Sequence, residues 1–438
     1  MSLLRGRNAG ARGRYAAVRP RLTELGTPVY VLVVALNFAV IVFDGYDLIV
    51  YGSTVPVLLR QPGWNLSPGE AGHIGSVALI GMFIGALLAG SLTDRFGRRK
   101  VLLVCLVLYS VAMAVAAIAQ GPVVFTIARG IGGIGFGAVV PTTVALTVEW
   151  APAQRRNLCS AVMTAGFAVG GIAAACLAIW ILPEHSFRIL YAIGAVPLVT
   201  VVPLCAWLMP ESPSYRRSRE NRRAGADAVE RTPITELLRG RAGVAVALFC
   251  VANFCIGVIV FGLNTWLPQL MGTAGYKISS ALLFQVLLNV GAIIGAVVGS
   301  LIADRTGARM VATATFLIAT VCISLLGVSM PSAALYTVVT FAGMGATGTQ
   351  IVLFGYVATH FAASLRARAV GVTTGFARLG GVLGPTLGGY LVSSRFGLGW
   401  DFGTFAAFAL VGAAASVAVP VVTRLLPAAA DTPVTAAS

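Results

Sequence analysis

Charged residues are scarce in this chain of 438 residues. Asp, Glu, Lys and Arg together make up 11% of it, whereas soluble proteins contain about 25%. Hydrophobic residues make up 58%, and the mean hydropathy is +0.89. A water-soluble fold is excluded, because a chain of this composition would leave too much apolar surface facing water. The composition therefore indicates an integral membrane protein.

Cysteines at metal-binding or redox spacing are also missing. The seven cysteines are scattered through apolar stretches and form no CxxC pair, which argues against a disulfide framework and against a metal site. The sequence contains no nucleotide-binding loop and no cluster of metal ligands. We therefore expect no enzymatic activity, no metal and no cofactor, and we interpret the cysteines as small buried hydrophobic residues.

Twelve apolar stretches are each long enough to cross a bilayer as a helix. A hydrocarbon core of about 30 Å needs roughly 20 apolar residues, and these runs do not alternate in polarity as the strands of a barrel do. The sequence predicts an all-α integral membrane protein with twelve transmembrane helices in two six-helix bundles. The predicted spans are 29–51, 70–92, 101–120, 122–148, 158–183, 186–209, 243–271, 279–302, 310–330, 332–358, 367–394 and 400–426.

A polar, Arg-rich segment divides these spans into two sets of six. The segment runs from residue 210 to residue 242 and is expected to be a cytoplasmic linker. No short hydrophobic region with a small-residue cleavage site precedes the first span, so we expect no cleaved signal peptide. The predicted organisation is a basic N-terminal tail (1–28), an N-terminal bundle (29–209), the linker, a C-terminal bundle (243–426) and a C-terminal tail (427–438).

The net charge of +16 is distributed unevenly between the two sides of the predicted membrane. Of the 31 Arg and Lys residues, 25 fall in the tails, linker and loops of one side, four on the other side, and two within spans. This bias satisfies the positive-inside rule. It predicts a bacterial inner membrane protein with both termini in the cytoplasm, and it accounts for the basic charge without nucleic-acid binding.

The two halves share a loop sequence at an offset near 210 residues. GSLTDRFGRRK begins at Gly90 and GSLIADRTGAR begins at Gly299; such repeats are typical of transporters that rock one half against the other. We predict that the acidic and basic residues of each loop form a latch that opens and closes, weaker in the second loop because Ala308 replaces Arg98. Glu149, at the end of span four, is expected to form an ion pair at the membrane edge. The predicted gating residues are Gly90, Asp94, Arg95, Gly97, Arg98, Arg99, Asp304, Arg305, Gly307 and Arg309.

Four charged residues lie deep within the predicted spans: Asp44, Asp47, Arg129 and Arg378. A charge near the bilayer centre costs roughly 2.5 kcal/mol or more, so these positions indicate function. The two carboxylates share one face of span one, where repulsion and burial favour protonation of at least one of them. We predict a role in proton coupling for Asp44, Asp47 and Arg129; alternatively, one Asp pairs permanently with an Arg. Arg378 either binds a substrate carboxylate or neutralises an Asp.

Several motifs resemble the major facilitator superfamily. They are the DRxGRR loop after Gly90, the RGIGGIGFG run of 129–137 and the PESP sequence of 210–213. The DGYD sequence of 44–47, the region around Gln350 and the run from Arg378 to Gly389 are similar to the aromatic acid:proton symporter branch of that superfamily. The resemblance implies a monomeric proton symporter that imports a small aromatic carboxylate, such as a benzoate or hydroxybenzoate, across the lipid bilayer by alternating access.

In that superfamily helices one, four, seven and ten line the central cavity, which implies further substrate-binding residues besides Arg378. Aromatic side chains could hold the ring of a substrate, although aromatic residues also serve as core packing or interfacial anchors. Other organic anions (muconate, a dicarboxylate or a sugar acid) remain alternative substrates. A drug:proton antiporter is a further alternative, but its usual GxxxGPxxGG pattern is absent from span five. The additional candidates are Tyr46, Asn264, Trp266, Gln350, Phe354 and Tyr356.

Overall fold

The computed structural model describes residues 28–217, 240–361, 363–394 and 396–425, and within these ranges the chain is helical without strands. The predicted tails and most of the predicted linker lie outside the described residues. One long helix corresponds to each predicted span. The helices are α1 (Val29–Leu58), α2 (Pro68–Phe96), α3 (Arg98–Ile118), α4 (Pro122–Trp150), α5 (Arg156–Ile181), α6 (Arg188–Leu208), α7 (Gly240–Thr273), α8 (Ile278–Thr306), α9 (Ala308–Leu325), α10 (Ser332–His360), α11 (Ala363–Ser394) and α12 (Leu398–Leu425).

Two of these helices are not continuous, strongly apolar α-helices. Helix α6 is interrupted by a 3₁₀ turn at Val196–Leu198. Among the described residues, eleven helices are long and apolar enough to cross a membrane, and α11 is the one that falls short. Helix α11 packs along both α7 and α2. The predicted twelve-helix architecture is confirmed.

Glycines at equivalent positions end α2 and α8. Gly97 has a φ of 96° and Gly307 has a φ of 95°, a conformation that costs glycine little and other residues more. Each glycine lets the chain reverse at once into the next helix. The loop repeat that the sequence shows is therefore also a repeat of backbone geometry.

The glycines that bring helices together repeat at the same offset. In the first half (α1–α6), a Cβ atom on Gly81 of α2 would lie 2.2 Å from a carbonyl oxygen of α4, and one on Gly133 of α4 would lie 2.1 Å from a carbonyl oxygen of α2. In the second half (α7–α12), Gly291 of α8 and Gly343 of α10 stand 210 residues later and would each meet a carbonyl oxygen at 1.9 Å. Small residues at such contacts allow two backbones to pack closely within a membrane.

The two halves meet mainly along α2 with α11, α5 with α8, and α1 with α7. Ser76 of α2 donates a hydrogen bond to the carbonyl of Val382 at 2.6 Å, and its hydroxyl lies 2.7 Å from that of Thr386. These contacts lie toward the end of the bundle opposite the α2–α3 loop. Nearer that loop, no described atom lies within 4 Å of a Cβ built on Gly90 or on Gly371. The cleft between the halves therefore widens toward the α2–α3 loop.

We expect Gly343→Ala to lower the melting temperature of the purified protein in detergent. The new methyl group would collide with the backbone of α8, which cannot move aside as a side chain can, and overpacking costs about 1–3 kcal/mol or more. The matched control is Gly355→Ala on the same helix, where no described atom lies within 4 Å. Equal melting temperatures for the two variants would contradict the close α8–α10 approach.

Candidate functional site

An ion pair joins α1 to α4 inside the first half. The guanidinium of Arg129 bonds to Oδ1 of Asp47, and the two residues are only 5% and 6% exposed. The same guanidinium lies 5.1 Å from the centre of the Tyr51 ring, within range of a cation–π interaction. The sequence left open whether an Asp pairs with Arg129, and the structure makes Asp47 that partner.

Asp44 lies one helical turn before Asp47 and has a different environment. It is 3% exposed, and its Oδ1 has no hydrogen-bond partner among the described residues. The cation that acts on it electrostatically is Arg378, which stands on α11 in the other half. Asp44 and Arg378 are therefore coupled across the two halves, whereas the Asp47–Arg129 pair stays within one.

Arg378 faces the cleft between the halves. Val382 lies one turn later on the same face of α11, and its carbonyl accepts the hydrogen bond from Ser76 of α2. One and two turns earlier on that face lie Gly375 and Gly371, and no described atom approaches a Cβ built on either. Arg378 is partly exposed as a residue, and its guanidinium forms no hydrogen bond or ion pair to a described residue. A cation without a fixed partner thus lies where α11 begins to separate from α2.

Gly45 brings α5 against the part of α1 that carries both carboxylates. A Cβ on Gly45 would lie 1.9 Å from the carbonyl oxygen of Phe167, so any larger residue would push the two helices apart. Helix α1 continues through Gly45 without a break. The glycine of the DGYD sequence therefore serves close packing, and the two Asp residues occupy a regular helix.

Three of the predicted aromatic residues pack between helices in this conformation. Tyr46 donates to the carbonyl of Leu190 on α6 at 2.8 Å, and Trp266 donates to the carbonyl of Pro385 on α11 at 2.7 Å. Tyr356 packs edge-on against Phe249, with ring centres 4.8 Å apart. The structure does not gather these rings around Arg378. The α10 candidates that keep partly exposed side chains are Gln350 and Phe354.

Asn264 belongs to a buried polar network that the sequence reasoning did not identify. Its backbone carbonyl accepts a hydrogen bond from Gln285 of α8 at 2.8 Å, and Ser53 of α1 donates to Gln285 at 2.7 Å. The side chain of Asn289 adds a longer contact of 3.4 Å to that of Asn264. This network joins α1 to α7 and α8 across the cleft. One sequence feature could have revealed this network: two amide side chains, Gln285 and Asn289, stand four residues apart in an apolar span.

The α2–α3 loop connects the ends of three helices of the first half. Arg98 forms an ion pair with Glu149 at the end of α4, which confirms the ion pair expected for Glu149. The backbone N–H of Arg99 donates to Glu211 at 3.1 Å, and the guanidinium of Arg99 bonds to the carbonyl of Ala206 on α6. Glu211 lies in the PESP sequence, so this sequence supplies an acceptor for the loop.

The remaining charged gating candidates lie at the surface. Asp94 and Arg95 are exposed in the first loop, and Asp304, Arg305 and Arg309 are exposed in the second. A Cβ atom built on Gly307 has no described atom within 4 Å, whereas one built on Gly97 would lie 2.6 Å from a carboxylate oxygen of Glu211. The two loops thus share a turn but differ in their contacts, as the replacement of Arg98 by Ala308 suggests.

Comparison with known proteins gives the family. The family model described as Major Facilitator Superfamily matches residues 38–374 and 285–436. The chain belongs to this superfamily. The benzoate transport protein of Acinetobacter baylyi is 32% identical over 84% of this chain and 84% of its own length. The gentisate transporter of Corynebacterium glutamicum is 36% identical over 87% of this chain and 86% of its own length.

A solved structure of the same superfamily has the same fold. The crystal structure of a D-xylose-proton symporter matches with a TM-score of 0.73 at 19% identity, covering 89% of this chain and 97% of that one. The protein is thus a multi-pass membrane transporter with the major facilitator fold, and not an enzyme. Among the described residues, no group of three His, Cys, Asp or Glu side chains could hold a metal ion.

Asp47→Asn and Asp44→Asn are expected to differ in stability. Removing the charge of Asp47 leaves Arg129 buried without its counter-ion, and breaking a buried pair in this way costs about 3–5 kcal/mol. Asp44 has no such bonded partner, so its amide variant should be nearly as stable as the unmodified protein or more so. Thermal unfolding of the purified variants in detergent tests this difference, and an equal loss in both would contradict the assignment of the pair.

Proposed function

We propose that this transporter imports a small aromatic carboxylate, such as a benzoate or hydroxybenzoate, together with protons. The observation that carries the proposal is the position of Arg378, a partly exposed residue at the cleft between the halves whose charge is coupled electrostatically to Asp44. The two relatives described above are named as transporters of benzoate and gentisate. Both of these substrates are aromatic acids with a single carboxylate.

Arg378 is the proposed carboxylate-binding residue. Its planar guanidinium can donate two parallel hydrogen bonds to a carboxylate, which a Lys cannot do. The glycines at 371 and 375 leave the adjacent face of α11 without side chains, so a flat ring has space beside the helix. Gln350 and Phe354, which keep exposed surface, are the proposed contacts to the ring; Tyr46, Asn264, Trp266 and Tyr356 require rearrangement to take part.

Asp44 is the proposed exchangeable proton site. When ionised, the carboxylate of Asp44 competes with the substrate anion for the positive charge of Arg378. A proton on Asp44 removes that competing charge, so the guanidinium becomes available to the substrate anion. Asp47 and Arg129 remain paired in this scheme and hold α1 and α4 together close to the exchanging carboxylate. Proton and substrate are then coupled by electrostatics between the two halves.

The loops at Asp94 and Asp304 are the proposed gates. The uneven distribution of Arg and Lys supports placing them, and both termini, on the cytoplasmic side of a bacterial inner membrane. With that orientation the cleft of this structure opens to the cytoplasm, and Ser76 with Thr386 closes its outer end. Both halves belong to one chain and the proposed site needs no second copy, which supports a monomer.

Arg378→Lys is expected to raise the KM for uptake of labelled benzoate-type acids by proteoliposomes. The loss of a charge-assisted hydrogen bond, worth about 1.5–3 kcal/mol, corresponds to roughly a tenfold to hundredfold weaker affinity. Arg60→Lys, in the exposed loop between α1 and α2, is the matched control and should leave KM unchanged. An unchanged KM in Arg378→Lys would exclude Arg378 as the carboxylate ligand.

Asp44→Asn is expected to abolish accumulation driven by a pH gradient but to retain exchange of internal for external substrate. A neutral amide mimics the protonated carboxylate and allows binding, but it cannot release a proton. The unmodified protein should accumulate substrate only when the outer solution is more acidic than the lumen. Gradient-driven accumulation by Asp44→Asn would contradict the assignment, and accumulation by the unmodified protein under the reversed gradient would indicate an antiporter.

A further inference from the structure

A small cavity lies behind the Asp47–Arg129 pair, between α1, α3 and α4. Its lining includes both members of the pair, the aromatic residues Tyr109 and Phe136, and the aliphatic residues Met113 and Ala116. Its volume is about 10 Å³, which is roughly the space that one water molecule needs. The cavity lies within the first half, on the α3 side of the pair, away from the cleft where Arg378 lies.

Two residues that line this cavity each carry a polar atom with no hydrogen-bond partner among the described residues. These atoms are the hydroxyl oxygen of Tyr109, in a residue 1% exposed, and Nε of Arg129, in a residue 5% exposed. An unsatisfied buried donor costs about 1–3 kcal/mol, so two such donors on residues around one cavity favour a shared partner. Purely apolar cavities stay dry, but a cavity with two to four polar groups can hold an ordered water.

We propose that this cavity binds one water molecule, held by the Tyr109 hydroxyl, Nε of Arg129 and the carboxylate of Asp47. Tyr109 and Arg129 donate hydrogen bonds to the water oxygen, and the water donates one hydrogen bond to Asp47. Each of the two orphaned donors then has an acceptor.

On this proposal Tyr109 is a water-binding residue. It lies in no recognised motif and carries no charge, so the sequence alone does not identify it. Its ring packs on Phe136 of α4 with centres 3.9 Å apart, which fixes the hydroxyl beside the ion pair. The adjacent Tyr191 is fully buried as well, but its hydroxyl lies 2.9 Å from that of Thr54, so it needs no water. The comparison separates a tyrosine that has a protein partner from one that lacks it.

Hydroxyl-radical footprinting of the purified protein tests the site directly. Radiolysis of a bound internal water modifies the side chains next to it, and the cavity places two reactive residue types, Tyr109 and Met113, beside the proposed water. Tyr191 and Met163 are matched controls, since both are almost completely buried and neither lines the cavity. We expect Tyr109 and Met113 to be modified severalfold faster than the controls.

Two variants sharpen the test. Ala116→Val fills the cavity, and Tyr109→Phe removes the hydroxyl while keeping the ring; each should reduce the modification of Met113 to the level of Met163. Equal, slow modification of all four residues in the unmodified protein would show a dry cavity and overturn the proposal. Equal, fast modification would indicate general water penetration and would overturn it as well. Neither result depends on the transported substrate, so the proposed function is tested separately.

Discussion

Burying charge away from water is the constraint on which the arrangement of this protein depends. Four ionisable side chains lie deep in the helices, and each needs compensation because the surroundings offer little solvation. Asp47 and Arg129 compensate each other inside one half, so their energy changes little when the halves move as rigid bodies. Asp44 and Arg378 lie on opposite halves. Their interaction therefore crosses the cleft, and in the proposed mechanism a substrate anion or a proton replaces it.

Close backbone contacts hold each half together as a rigid body. The glycines of α2 with α4, and of α8 with α10, allow these helices to approach to van der Waals distance of backbone atoms. Such contacts have no flexible side chain that could adjust, so each six-helix half resists deformation. Between the halves the contacts are fewer and include hydroxyl and amide groups such as Ser76, Ser53 and Gln285. Polar groups of this kind can exchange their partner for water when the cleft opens.

The two halves share backbone features but differ in their side-chain chemistry. Gly97 and Gly307 make the same turn, and among the described residues the first loop has an ion pair (Arg98–Glu149) and an acceptor (Glu211) that the second loop lacks. The proposed proton site, Asp44, lies in the first half, and the proposed substrate cation, Arg378, lies in the second. Duplication supplies a repeated scaffold, and the proposed mechanism places the proton site and the substrate cation on opposite sides of the cleft.

The sequence by itself determined the membrane class, the twelve helices, the repeat and the four buried charges, because length, hydropathy and charge are local properties of the chain. Only the tertiary structure decided which charges are partners, since Asp47 and Arg129 are far apart in sequence and so are Asp44 and Arg378. The tertiary structure also distinguished two kinds of predicted site residue. Trp266 and Tyr46 form hydrogen bonds to neighbouring helices, whereas Arg378 faces the cleft. Tyr109 and Gln285 were identified only from the tertiary structure. Their roles depend on the groups that surround them, and a local sequence pattern does not contain that information.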